Sequence, residues 1–259
     1  MVEINLQVCN AIAVQYGMPR QYVVKEFYVF DVLGQIAAKS DKKRVFKGGT
    51  ALNKVYLGKM QRFSEDLDFD AGTESVKETR ARCGEIAEGI AGYGISEFRR
   101  VGDAVQFYCV YESPLGGKDH VRVDVAAKKI ISENPPVMKP AASTYAQRSV
   151  AGFYVYPLED LVARKMHALR TRTEGKDVYD VYNALPLCGS MRGAIAKMLE
   201  SEGSSEEPGT FLEKTTAAVK KADAKKLRNL TNPFIPYGNR PKDWLQLKND
   251  LLMRMERLE

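Results

Sequence analysis

The chain has 259 residues, 44% of them hydrophobic and 28% charged, with a formal net charge of +6. That is enough apolar material to bury a real core, and it excludes a disordered tail. No apolar run approaches the ~18 residues of a membrane span, and the first ten residues, MVEINLQVCN, lack the basic and apolar regions of a secretory signal. The expectation is a cytoplasmic protein with no membrane partner. The four cysteines, Cys9, Cys83, Cys109 and Cys188, have no paired spacing, and His120 and His167 are the only histidines. These facts argue against structural zinc, a disulfide framework and a multi-imidazole metal site.

In chain order, residues 21–38 space their apolar side chains as a helix does. Val45-Phe46 is a short strand, followed by the turn Lys47-Gly48-Gly49-Thr50 and a second helix over 51–57 that stops at Gly58. Residues 63–70, FSEDLDFD, alternate as a strand with Ser64, Asp66, Asp68 and Asp70 on one face. A helix is expected over 74–92. Strands at 104–111 and 121–127 flank the turn PLGGKD, which places His120 in a turn. From about residue 150 the pattern is helical: 157–172, 176–185, 210–230 and 243–259. The expected architecture is therefore an α/β part, residues 1–150, followed by a helical part, residues 151–259.

Asp66 and Asp68 project from one face of their strand, about 6–7 Å apart along the backbone. Two carboxylates this close repel unless a cation lies between them, and an all-oxygen donor set suits Mg²⁺ or Mn²⁺. Asp124, on the polar face of a later strand, is a third candidate metal ligand and a candidate base. The bland alternative is an acidic, solvated edge strand. The turn at Gly48, Gly49 and Thr50 has the makings of a phosphate cradle, since a helix N-terminus offers free N–H groups and glycine permits close approach. A phosphate cradle and a carboxylate pair separated by one helix are what transfer of a nucleotide from an NTP requires. Lys165 falls within the apolar stripe of helix 157–172, where it either snorkels or meets a phosphate. Asp177 and Asp180 stand ready to orient it, to assist a base or to cap a helix. Arg62 and Ser64 flank the acids, and Arg62 has the choice of pairing with them or contacting phosphate. A metal-dependent phosphodiesterase or nuclease, and a non-enzymatic nucleic-acid- or antitoxin-binding module, remain open on these residues.

The stretch VFKGGTALNKVYLGKMQRFSEDLDFD (45–70) closely resembles the signature of the AbiEii/AbiGii toxin family of nucleotidyltransferases, which includes the MenT-type toxins and belongs to the DNA polymerase β-like superfamily. The matching residues are Gly48, Gly49, Thr50, Arg62, Ser64, Asp66 and Asp68. A second block, PLEDLVARKMHALRTRTEGKDVYDVY (157–182), resembles the family at Asp160, Lys165, Asp177 and Asp180. The resemblance implies an α+β fold: a mixed β-sheet with flanking helices, then a C-terminal helical domain contributing Lys165 and Asp177. It implies Mg²⁺-dependent (or Mn²⁺-dependent) transfer of an NMP from an NTP to an acceptor hydroxyl, the 3′ end of RNA or tRNA in the MenT-type members, and a toxin of a toxin–antitoxin or abortive-infection system, with an antitoxin as partner. Metal binding would fall to Asp66, Asp68 and Asp124. Nucleotide binding would fall to Lys47, Gly48, Gly49, Thr50, Arg62, Ser64 and Lys165.

Overall fold

The computed structural model describes residues 2–39 and 41–258. The chain divides into two compact units: Met1–Ile130 with Pro136–Val155, and Ile131–Pro135 with Tyr156–Glu259.

The first unit opens with α1 (Leu6–Tyr16) and α2 (Arg20–Ala37). The Asn5 side chain caps α1 by accepting from the backbone N–H groups of Gln7 and Val8. Then follow β1 (Val45–Lys47), the short helix α3 (Gly48–Ala51), which continues as a π turn over Leu52–Tyr56, and β2 (Leu67–Asp70). Next come α4 (Val76–Glu88), β3 (Gly94–Ile95), β4 (Arg99–Val101), β5 (Ala104–Glu112), β6 (Lys118–Ala126), β7 (Val137–Ser143) and β8 (Arg148–Val155). The eight strands form one sheet in the order β3-β5-β6-β2-β1-β8-β7, with β4 also on β5. β2 runs parallel to β6 and antiparallel to β1, so the sheet is mixed.

Alternation decides what each face carries. Val105, Phe107, Cys109 and Tyr111 of β5 and Val121, Val123 and Val125 of β6 are buried. Against this apolar face Tyr28 of α2 stacks on Tyr111, with ring centroids 3.6 Å apart. The intervening residues form the opposite, polar face.

Two expectations for this unit need correction, and two strands were not read. The acidic segment is not strand throughout: β2 begins only at Leu67, and residues 61–66 are irregular. There, side chains rather than a neighbouring strand satisfy the backbone: Asn53 Oδ1 accepts from the Arg62 N–H at 2.8 Å. His120 lies within β6, packed edge-on against Tyr108. β7 and β8 have no counterpart in the sequence reading. Pro140 lies at a register irregularity of β7, which is an end strand of the sheet and tolerates a missing N–H.

The second unit contains α5 (Leu158–Arg172), α6 (Gly175–Ala184), α7 (Arg192–Ser201), α8 (Pro208–Lys221), α9 (Ala224–Thr231) and α10 (Trp244–Glu256). The single helix expected over 210–230 is two, because Asp223 caps a new start by accepting from the Lys226 N–H. Leu161, Val162, Met166, Leu169, Val178, Val181, Phe211 and Trp244 are among its buried side chains. Among the described residues, no helix is long and apolar enough to cross a membrane.

Candidate active site

The polar face of the sheet collects the acids. In the parallel β2–β6 register Asp68 lies opposite Asp124, and in the antiparallel β1–β2 register it lies opposite Lys47. Paired residues share a face, so the local two-residue spacing of the acids is joined by a non-local third carboxylate. Asp68 is half-buried. Loss of hydration lifts its pKa to about 6, Asp124 and Asp66 push the same way by repulsion, and Lys47 and Arg122 pull against them.

The glycine turn meets this cluster directly. Gly48 has φ +77°, and a Cβ placed on it would lie 2.2 Å from Asp68 Oδ2. Glycine is therefore required twice, by the backbone angle and by the approaching carboxylate. Lys47, at the N-cap, makes no side-chain capping bond, so the first N–H groups of α3 are left to other partners. Its ammonium instead lies 2.5 Å from Asp70 Oδ1. Thr50 is buried, and its hydroxyl lies 2.8 Å from that of the more open Ser64. Asn53 links the turn to the acidic segment: its amide donates to the Gly49 carbonyl at 2.9 Å while its oxygen accepts from Arg62 N–H.

Arg62 is only 3% exposed, and its Nη1 donates to the Phe63 carbonyl. Its side chain is therefore largely interior to the unit. A different arginine attends the acids. Arg122 Nη2 lies 2.7 Å from Asp66 Oδ2, and its Nε lies 3.1 Å from Asp124 Oδ2. Gln106 donates to the other oxygen of Asp124 at 2.8 Å and accepts from the Tyr108 hydroxyl at the same distance. Neither Arg122 nor Gln106 was expected from sequence. The V-R-V-D-V alternation did place Arg122 beside Asp124, and that was the available signal.

Three carboxylates without histidine or thiolate form a hard oxygen donor set suited to Mg²⁺ or Mn²⁺. A cationic guanidinium already stands between Asp66 and Asp124, which marks the place as one that holds positive charge. As the side chains stand, no three or more His, Cys, Asp or Glu among the described residues are arranged as a finished metal cage.

In the helical unit, Lys165 is buried. Its ammonium lies 2.7 Å from Asp177 Oδ1 and 3.0 Å from Asp180 Oδ2, and Arg172 Nε reaches Asp177 Oδ2 at 2.7 Å. Burial alone would raise the Asp177 pKa, but Lys165 and Arg172 outweigh it and hold it at about 2. Lys165 thus lies in an ion cluster that ties α5 to α6. Asp160 accepts from the Glu133 N–H at 2.9 Å.

Comparison with known proteins identifies the family. Residues 31–253 match the family model described as "Nucleotidyl transferase AbiEii toxin, Type IV TA system". The chain belongs to that family. It is thus a nucleotidyltransferase-family enzyme of the toxin class of type IV toxin–antitoxin systems. Among solved structures it resembles MenT4, the nucleotidyltransferase toxin Rv2826c of Mycobacterium tuberculosis H37Rv. The TM-score is 0.65 at 17% identity, over 99% of this chain and 90% of that one. It also resembles JHP933 of Helicobacter pylori, with a TM-score of 0.55 at 16% identity and 93% of each chain covered. At such identities these likenesses speak for the AbiEii fold alone: a mixed sheet with flanking helices and a C-terminal helical part. No curated protein sequence matches the chain.

Proposed function

We propose that this AbiEii-family chain transfers an NMP from an NTP to an acceptor hydroxyl at the 3′ end of an RNA, with tRNA the acceptor class, in the cytoplasm and under the control of an antitoxin. The observation that carries the reading is the position of Asp68. It is in register with Asp124 on one side and Lys47 on the other, with its carboxylate against the Gly48 backbone.

Asp66, Asp68 and Asp124 would hold Mg²⁺ or Mn²⁺, which when bound neutralises charge on the phosphates and on the attacking oxygen. The chain's own residues do the rest. Gly48 and Gly49 present backbone N–H groups to the triphosphate, and Thr50 sets the rotamer of Ser64 beside them. Lys47 and Arg122 add positive charge at the same face. The acceptor hydroxyl oxygen attacks the α-phosphorus, the bond to the β-phosphate bridging oxygen breaks, and pyrophosphate leaves. Asp124 would take the hydroxyl proton. Lys165 and Asp177 belong to the proposal as the second sequence block's contribution, supported by the cost of keeping three charged groups buried in the helical unit.

Incubating the protein with total RNA, Mg²⁺ and each of four α-labelled NTPs tests it. Label should enter RNA with wild type and vanish with Asp66→Asn or Asp68→Asn. Shortened RNA, or label retained by both variants, would refute the assignment. Label on the protein itself would move the acceptor from RNA to protein.

A further inference from the structure

The acids on the polar face are not waiting unpaired. Arg122 sits among them, with Nη2 at 2.7 Å from Asp66 and Nε at 3.1 Å from Asp124. Two of the three proposed metal ligands are thereby turned toward an internal cation. The guanidinium is partly open to solvent: its side chain is 38% exposed and rooted on the polar sheet face, unlike the fully interior Lys54. Asp124 would not follow it, because Gln106, itself held by Tyr108, grips its second oxygen.

We propose that Arg122 is a resident counter-cation that holds the place of a divalent ion between Asp66 and Asp124. On loading, it exchanges these carboxylates for the phosphates of the incoming nucleotide. The inference rests on the reading of the strand acids as a divalent-ion site. Its physical basis is charge balance. One guanidinium among three carboxylates relieves part of their repulsion, but a divalent ion and the guanidinium in the same space repel each other. A displaced guanidinium needs another anion, and its planar fork suits a phosphate. Metal and triphosphate then favour each other's binding through one side chain, and the coupling is reciprocal. A fixed clamp would do the reverse: removing it would let the acids splay and weaken the metal.

The test compares wild type, Arg122→Gln and Arg122→Lys by Mn²⁺ electron paramagnetic resonance, first with Mn²⁺ alone and then with Mn²⁺ and inorganic tripolyphosphate. Arg122→Gln should bind Mn²⁺ alone about five- to tenfold more tightly than wild type and the Mn²⁺–tripolyphosphate complex about tenfold more weakly. Arg122→Lys should fall between. Equal or weaker binding of Mn²⁺ alone by Arg122→Gln overturns the exchange while leaving the metal site standing. If wild type binds Mn²⁺ no better than Asp68→Asn in either series, the metal site falls, and the exchange falls with it.

Discussion

Asp68 Oδ2 reaches so near the Gly48 backbone that a single methyl group at position 48 would lie 2.2 Å from it. Gly48→Ala therefore meets two penalties, a left-handed φ of +77° and a collision with the carboxylate. Gly58 has φ +51° and nothing within 4 Å of an added Cβ, so Gly58→Ala isolates the backbone penalty. Backbone strain of this kind costs about 1–2 kcal/mol. We expect Gly58→Ala to lose about that much in urea unfolding and to keep labelling activity. Gly48→Ala should lose at least about 1 kcal/mol more and be inactive. Equal stability losses in the two variants would mean that the carboxylate moves aside without cost.

The raised pKa of Asp68 gives a prediction of the less usual sign. A carboxyl that titrates at about 6 when folded and near 3.8 when unfolded weakens the fold wherever it is ionised in the native state. The penalty is full above pH 6, shrinks as pH falls toward 4 and is absent below. Asp68→Asn, measured in EDTA, should thus be more stable than wild type by about 1–2 kcal/mol at pH 7.5. Solvent access to the half-buried group trims the gain from the larger value a fully buried carboxylate would give. The gain should disappear by about pH 4. A variant less stable than wild type at pH 7.5 would contradict the electrostatic account.

Asp177 behaves oppositely. Its folded pKa of about 2 lies below the unfolded 3.8, so its contribution is complete above about pH 4 and lost as pH falls toward 2. Lys165→Met removes the cation that Asp177 and Asp180 share, both fully buried. Breaking a buried pair from one side costs about 3–5 kcal/mol. The variant should lose that order of stability at pH 7, and its acid-unfolding midpoint should move to higher pH. Urea midpoints between pH 2.5 and 7 would show both effects. A variant within 1 kcal/mol of wild type would show that Arg172 alone balances the two acids.

What was legible in the sequence was what local spacing encodes. Gly48-Gly49 before a helix, the two-residue step from Asp66 to Asp68 and the alternation around Asp124 each need only a few neighbours to be read. Arg62 and Arg122 show where that stops. Arg62 is close to the acids along the chain yet buried, because Asn53 draws the segment 61–66 against the π turn. Arg122 is far from Asp66 along the chain yet ion-paired to it, because β2 and β6 run side by side. The π turn itself leaves no periodic trace, and Pro140 disguises β7, which tolerates it as an end strand.

That π turn carries the last prediction. Lys54 projects from it into the interior, where both oxygens of Glu26 lie 2.7 Å from its Nζ. Burial pushes the Lys54 pKa down, Glu26 opposes that, and Arg62 adds its own repulsion. Glu26 is thus the acid paired with Lys54, Arg62 repels that ammonium and Glu65 adds a weaker attraction, so the two single neutralisations are unequal. Lys54→Met removes the ammonium that Arg62 repels. Glu26→Gln leaves Lys54 and Arg62 facing each other in a dry interior. Glu26→Gln should lose about 3–5 kcal/mol, in the range for a buried charge stripped of its partner, and Lys54→Met clearly less, about 1–2 kcal/mol. Adding Lys54→Met to Glu26→Gln should recover part of the loss, because it removes the repelling pair. Chemical denaturation of the three variants decides the matter: if Lys54→Met is as damaging as Glu26→Gln, the repulsion from Arg62 does not set the two apart.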